Sequence, residues 1–183
     1  MKCFYLMAVL LLGSGQAIAA PELNAVSSDA EQVQIQLRDY FFNAARFGDN
    51  EVLDEFIQAG YDLNTADDKG YTALILAAYN GHPGTVERLI AAGADACAQD
   101  ARGNTALMGA IFKGELRIAK RLLATECDPD QRNHAGQTPA MYAALFQRDA
   151  LLQALRERGA DLEASDPMGN KVESLARGEI RTR

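Results

Sequence analysis

A repeat period of about 33 residues constrains this chain more than any other feature. The stretch Asp67–Gln99 carries a pattern that returns in Asp100–Arg132 and again in Asn133–Ser165. Gly70, Gly103 and Gly136 hold one place in the period, and Thr72, Thr105 and Thr138 another. Leu74 and Leu107 follow, Ala77-Ala78 returns as Ala143-Ala144, and Gly93-Ala94-Asp95 returns as Gly159-Ala160-Asp161. Repetition at this length marks stacked supersecondary units. One such unit cannot bury its own apolar face, so stability comes mainly from neighbour interfaces.

Each recurring residue has a physical reason. The glycines at 70, 103 and 136 suit a turn that needs positive φ. The threonines are placed to cap a following helix with a hydroxyl, and Pro139 suits a first helical position. Small alanines let helices approach closely. Gly93 and Gly159 suit a left-handed helix end. Leu74, Leu76, Val86, Leu89 and Ile90 are then expected to face a shared core.

This pattern resembles the ankyrin repeat, which runs D-x-x-G-x-T-P-L-H-x-A-A-x-x-G-H, then V, L-L and G-A-D. The resemblance covers roughly residues 37–177. It implies an all-α solenoid of stacked helix-turn-helix units with hairpin fingers, about four repeats and a C-terminal capping half-repeat. Several positions depart from the pattern. Ile75, Met108 and Met141 replace the family histidine, and Gln147-Arg148 replaces Gly-His. Glu126-Cys127-Asp128 replaces Gly-Ala-Asp, which predicts a distorted helix end there.

The ends of the array are polar variants. Residues 20–28 are expected to be a flexible lead-in and 29–66 an N-terminal helix and capping repeat. Ser28 and Glu31 have the spacing of a capping box, so a helix is expected from about Asp29 to Phe47. Val33, Leu37, Phe41, Ala44 and Ala45 lie at helical spacing, with Gln32, Gln34, Gln36 and Arg38 as the polar face. A second helix runs from about Glu51 to Gln58. Residues 166–183 form a capping half-repeat with a tail expected to fray after Glu179.

Residues 1–19 have the form of a secretory signal peptide: Lys2, an apolar run from Phe4 to Leu12, and Ala17-Ile18-Ala19 before the cut. That run is too short to span a bilayer core of about 30 Å, so no stable membrane anchor is expected after cleavage. The leader predicts a bacterial periplasmic protein, with secretion as the alternative. A formal net charge of −7 argues against nucleic acid as a partner.

No catalytic motif is present. His82 sits in the Gly-His position and His134 on a finger, and there is no H-E-x-x-H, nucleophile elbow or P-loop. Asp67-Asp68 and Asp128-Pro129-Asp130 lack calcium-loop spacing and are expected to be turn residues. No catalytic residue, metal or cofactor is expected, and an uncharacterised hydrolase is the disfavoured alternative. Cys97 and Cys127 fall at different places in adjacent repeats. Packed neighbours lie about 10 Å apart and a disulfide needs Cα atoms within about 7 Å, so spacing speaks against a bridge.

The resemblance implies binding of another protein through finger tips and inner helices, by a chain that is monomeric alone. The corresponding finger residues are Asp68, Lys69, Tyr71, Arg102, Asn104, His134 and Gln137. At the first-helix ends stand Phe47, Tyr79, Asn80, Phe112, Lys113 and Phe146. Aromatics with nearby cations make good anchors; the other reading packs Phe47, Phe112 and Phe146 between repeats as core. Some small exported bacterial proteins of this kind are linked to catalase function and peroxide resistance. An immunity protein against a toxin enzyme is the alternative.

Overall fold

The computed structural model describes residues 22–182, so the expected signal peptide lies outside the described residues. Nine helices occur among them: α1 Glu22–Phe47, α2 Asn50–Gln58, α3 Ala73–Tyr79, α4 Pro83–Ala91, α5 Ala106–Lys113, α6 Leu116–Leu123, α7 Pro139–Leu145, α8 Asp149–Glu157 and α9 Val172–Ala176. Residues 37–183 form one compact unit, and its helices pair as α3 with α4, α5 with α6 and α7 with α8. The inner helices α3, α5 and α7 stack on one another, as do the outer helices α4, α6 and α8. The fold is the expected all-helical repeat solenoid.

The repeated residues act locally as their chemistry demands. Thr72, Thr105 and Thr138 cap α3, α5 and α7: each hydroxyl accepts the amide hydrogen three residues on at 3.3 Å. The fingers are built on an acidic or amide side chain. Asp67 Oδ1 accepts the amides of Lys69 and Tyr71, and Asp100 those of Arg102 and Asn104. Asn133 and Asp166 repeat the arrangement. Gly70 has φ +76°, and a Cβ there would lie 2.6 Å from the Ala101 nitrogen of the next finger. That close approach lets the Ala101 amide donate to the Lys69 carbonyl at 2.8 Å, and His134 repeats the bond to Arg102 at 2.9 Å.

The core is the expected one. Leu74, Leu76, Val86 and Leu89 are buried, as are Ile75, Met108 and Met141 in place of the family histidine, while Ile90 packs against this core only half-buried. The outer helices add a ladder of ion pairs, Arg88 to Asp54 at 2.8 Å and Arg121 to Glu87 at 2.6 Å. These pairs are exposed and worth little singly.

Several expectations are corrected. Helix α1 starts at Glu22 rather than near Asp29, so the stretch expected to be lead-in is helical from that residue and Ser28 lies inside the helix instead of capping it. Pro21 precedes the first turn, and no proline or glycine interrupts the sequence before Gly48. Val33 and Leu37 are exposed, while Phe41, Ala44 and Ala45 are buried. Helix α2 begins at Asn50, because Asp49 accepts the Val52 amide as its cap. The C-terminal tail is held: Asn170 Oδ1 accepts the Arg181 amide at 2.7 Å and its Nδ2 donates to the Arg181 carbonyl at 3.1 Å.

Cys97 and Cys127 form a disulfide with Cα atoms 5.4 Å apart, against expectation. The spacing of about 10 Å applies to equal places in successive repeats. Cys127 stands three places earlier in its repeat than Cys97 does, a separation of 30 that falls short of a full period. Past each outer helix, residues 30 or 31 apart in sequence come together across the joint. The same geometry brings the Asp95 amide to Asn64 Oδ1 at 2.8 Å and the Asp161 amide to Asp130. Closing a loop of this length stabilises by about 3–4 kcal/mol on the chain-entropy estimate. As the sequence predicts, the α6 end is altered: α4 and α8 end in a left-handed Gly93 and Gly159, whereas Glu126 has no positive φ.

Candidate functional site

The inner helices and fingers enclose a groove of about 670 Å³. Its floor is Ile75, Leu76, Met108 and Gly109; its walls include Lys69, Tyr71, Tyr79, Asn80, Arg102, Asn104 and Phe112. Helix α1 adds Arg38, Asp39 and Arg46, which the repeat pattern does not single out. The Arg38 guanidinium lies 3.8 Å from the Asp68 carboxylate, and its Nε is buried without a hydrogen-bond partner.

An aromatic strip dominates one wall. The Tyr79 and Phe112 rings are nearly parallel, 9° apart in plane and 6.0 Å between centroids, and are 43% and 39% exposed. Gly109 lies beside this stack, with Tyr79 3.8 Å from where a Cβ would stand, an ordinary van der Waals distance. The Lys113 ammonium lies 5.0 Å from the Tyr79 ring centroid, a cation–π contact. Phe146 meets Phe112 edge-on at 4.9 Å, and Tyr142 meets Phe146 at 5.8 Å. The strip therefore runs across three repeats, with Phe146 half-buried and Tyr79 and Phe112 open to solvent.

The remaining candidates stand differently. Phe47 is 73% exposed and does not line the groove, although it holds the same place in its repeat as Asn80 and Phe146. His134 is an exposed finger residue outside the groove. Asp68 lines the groove with its side chain almost fully exposed. Asn80 spends its side-chain amide on the Leu76 carbonyl at 2.8 Å.

Asn104 lines the groove with its side chain held in a polar network. Its Oδ1 accepts from Tyr142 at 2.9 Å and from Asn133 Nδ2 at 3.0 Å, and its Nδ2 donates to Asp100 at 3.2 Å. Gln137 Oε1 receives a second bond from Asn133. Burial, with the Asp100 charge adding to it, pushes the Tyr142 phenol above its ordinary value, despite the Asn133 hydrogen bond and Arg102. Tyr142 thus stays a donor at neutral pH and ties two fingers together. Its place in the repeat is held by Leu76 and Gly109 in the two preceding units, so the periodic pattern gave no sign of this role.

His82 is structural: its Nε2 meets the Arg46 carbonyl at 2.9 Å. Arg148, in the matching place two repeats on, donates to the Phe112 carbonyl at 3.3 Å. Among the described residues no group of three or more His, Cys, Asp or Glu side chains is placed to hold a metal, and no helix is long and apolar enough to cross a membrane.

A family model described as ankyrin repeats matches the sequence in three copies, over residues 41–133 and 85–166. No curated protein matches the chain at a significant level.

Proposed function

The chain belongs to the ankyrin-repeat family, whose members are generally protein–protein interaction modules, and from that premise we propose that it is a non-catalytic, exported binding protein that grips a folded partner in its inner-helix groove. The observation that carries this reading is the exposed Tyr79–Phe112 stack beside Lys113. Aromatic rings and cations at the centre of a concave surface are the residues that carry binding energy in protein interfaces. The stacked scaffold presents them with little ordering cost on association.

Export to the bacterial periplasm accords with the form of residues 1–19 and with the Cys97–Cys127 bond, since disulfides persist in oxidising compartments. Within that setting the partner is a catalase-linked component of peroxide resistance, by resemblance to small exported proteins of this family. A toxin enzyme neutralised by the groove is the competing partner class. Affinity capture from periplasmic extract with the oxidised protein, followed by mass spectrometry, tests both. The reading requires a partner that the native protein captures and that a Tyr79→Asp/Phe112→Asp variant with native helicity does not. Equal capture by both proteins would move the site off the groove. Loss of peroxide resistance on deletion would select the catalase-linked class, and a tight one-to-one complex with a toxin enzyme the other.

A further inference from the structure

Three joints connect the successive units from α2 to α8, and the first and third are tied by the same two side-chain bonds. At the first, Asn64 Oδ1 accepts the Asp95 amide at 2.8 Å and His82 meets the Arg46 carbonyl at 2.9 Å. At the third, Asp130 accepts the Asp161 amide at 2.9 Å and Arg148 donates to the Phe112 carbonyl at 3.3 Å. Both positions change in the middle joint. Cys97 stands one full period after Asn64 and one before Asp130, and a cysteine is a poor acceptor. Glu115 stands between His82 and Arg148 in the same register, and an ionised carboxylate cannot donate to a carbonyl.

The disulfide stands where those bonds are missing. Cys127 occupies the place of Ala94 and Ala160 in the other repeats. Side-chain ties that remain across this joint include the exposed Arg121–Glu87 pair, the Gln131 Nε2 bond to the Cys97 carbonyl at 3.0 Å and the Gln99 Nε2 bond to the Arg132 carbonyl at 2.9 Å. The same joint carries the Tyr79–Phe112 stack on its inner side, one ring from each repeat.

We propose that the Cys97–Cys127 bond is a redox lock on the joint that carries the Tyr79–Phe112 stack, so that a dithiol reductant loosens this joint and disorganises the groove. The functional half of the proposal rests on the groove being the partner-binding surface. Both cysteines are half-buried, so a reductant reaches the bond. One reductant thiolate attacks a cysteine sulfur, the S–S bond breaks, and the displaced cysteine thiolate takes up a proton. The second reductant thiol resolves the mixed disulfide. Two electrons and two protons pass to the protein, giving two cysteine thiols, and the reductant leaves as its own disulfide.

Hydrogen exchange measured by mass spectrometry on the whole protein, oxidised and after dithiothreitol, tests the lock without any partner. Residues 95–113 are expected to exchange on the order of tenfold faster once reduced, while residues 133–157 change by less than about twofold. A Cys97→Ser/Cys127→Ser variant is expected to match the reduced protein. A Cys97→Asn/Cys127→Ala variant copies the first joint and is expected to keep the oxidised pattern with or without dithiothreitol. Equal acceleration in every repeat, no acceleration anywhere, or a Cys97→Asn/Cys127→Ala variant as loose as the reduced protein would overturn the proposal. Because no partner takes part, failure here leaves the groove reading standing, and unchanged capture by the Tyr79→Asp/Phe112→Asp variant leaves the lock standing.

Discussion

Tyr79 and Phe112, at equal places in adjacent repeats, lie almost parallel with ring centroids 6.0 Å apart, and both rings remain open to solvent. Apolar rings that already pack on each other and still face water are costly to leave uncovered, which is the physical basis of the proposed binding surface.

Charging this pair separates binding from folding. Stacked aromatics contribute about 0.5–1.5 kcal/mol beyond their burial. Tyr79→Asp/Phe112→Asp is expected to abolish partner capture while circular dichroism keeps native helicity and a single cooperative melt. Loss of the fold in that variant would make the two rings core.

Removing a helix cap tests the scaffold. Thr138 is fully buried, and its hydroxyl accepts the Met141 amide at 3.3 Å. Thr138→Ala is expected to cost about 1–2 kcal/mol in urea denaturation. A change below the error of the measurement would mean that the bond contributes nothing.

Gln147 offers a stabilising change. It has φ +53°, the only positive φ of a described residue other than glycine, at the place where Gly81 and Gly114 stand in the preceding repeats. A side chain in this conformation is strained by about 1–2 kcal/mol, offset in part by the greater entropy of glycine in the unfolded chain. Gln147→Gly is therefore expected to raise stability by about 0.5–1 kcal/mol, read as a higher urea midpoint at unchanged m-value.

Acid should loosen the C-terminal cap. Burial pushes the Asp166 carboxyl up, but hydrogen bonds from Asn170 and the Met168 amide, with the Arg132 charge, hold it below its ordinary value of 3.8. A depressed folded value means stability that is present above the unfolded value and lost as pH falls through the folded one. Amides of α9 are thus expected to lose exchange protection below about pH 4 in wild type. Asp166→Asn should remove that pH dependence in α9; an unaltered acid response would assign it to other carboxylates.

The scaffold was legible where the cause is local. A threonine three residues before an amide caps a helix, and a glycine at a finger tip takes positive φ, whatever the neighbouring repeats do. Tyr79 and Phe112 were legible as candidates because both place an aromatic ring at a position the repeat leaves free. Phe47 and Asn104 were not separable from them in sequence. Phe47 holds the same place in its repeat as Asn80 and Phe146, so its sequence position does not tell it from residues at the groove, and a tyrosine two helices further along the chain, Tyr142, decides the role of Asn104.

By itself the sequence determined the repeat, its caps, its finger turns and its buried faces, because each depends on residues within a few positions of one another. Tertiary structure decided which side chains meet across a joint. The step between repeats sums rotations and translations of whole units, and a small difference in register brings Cys97 and Cys127 within bonding distance. The same step lays Tyr79 against Phe112, so the groove and the bond beside it emerge only when the units are stacked.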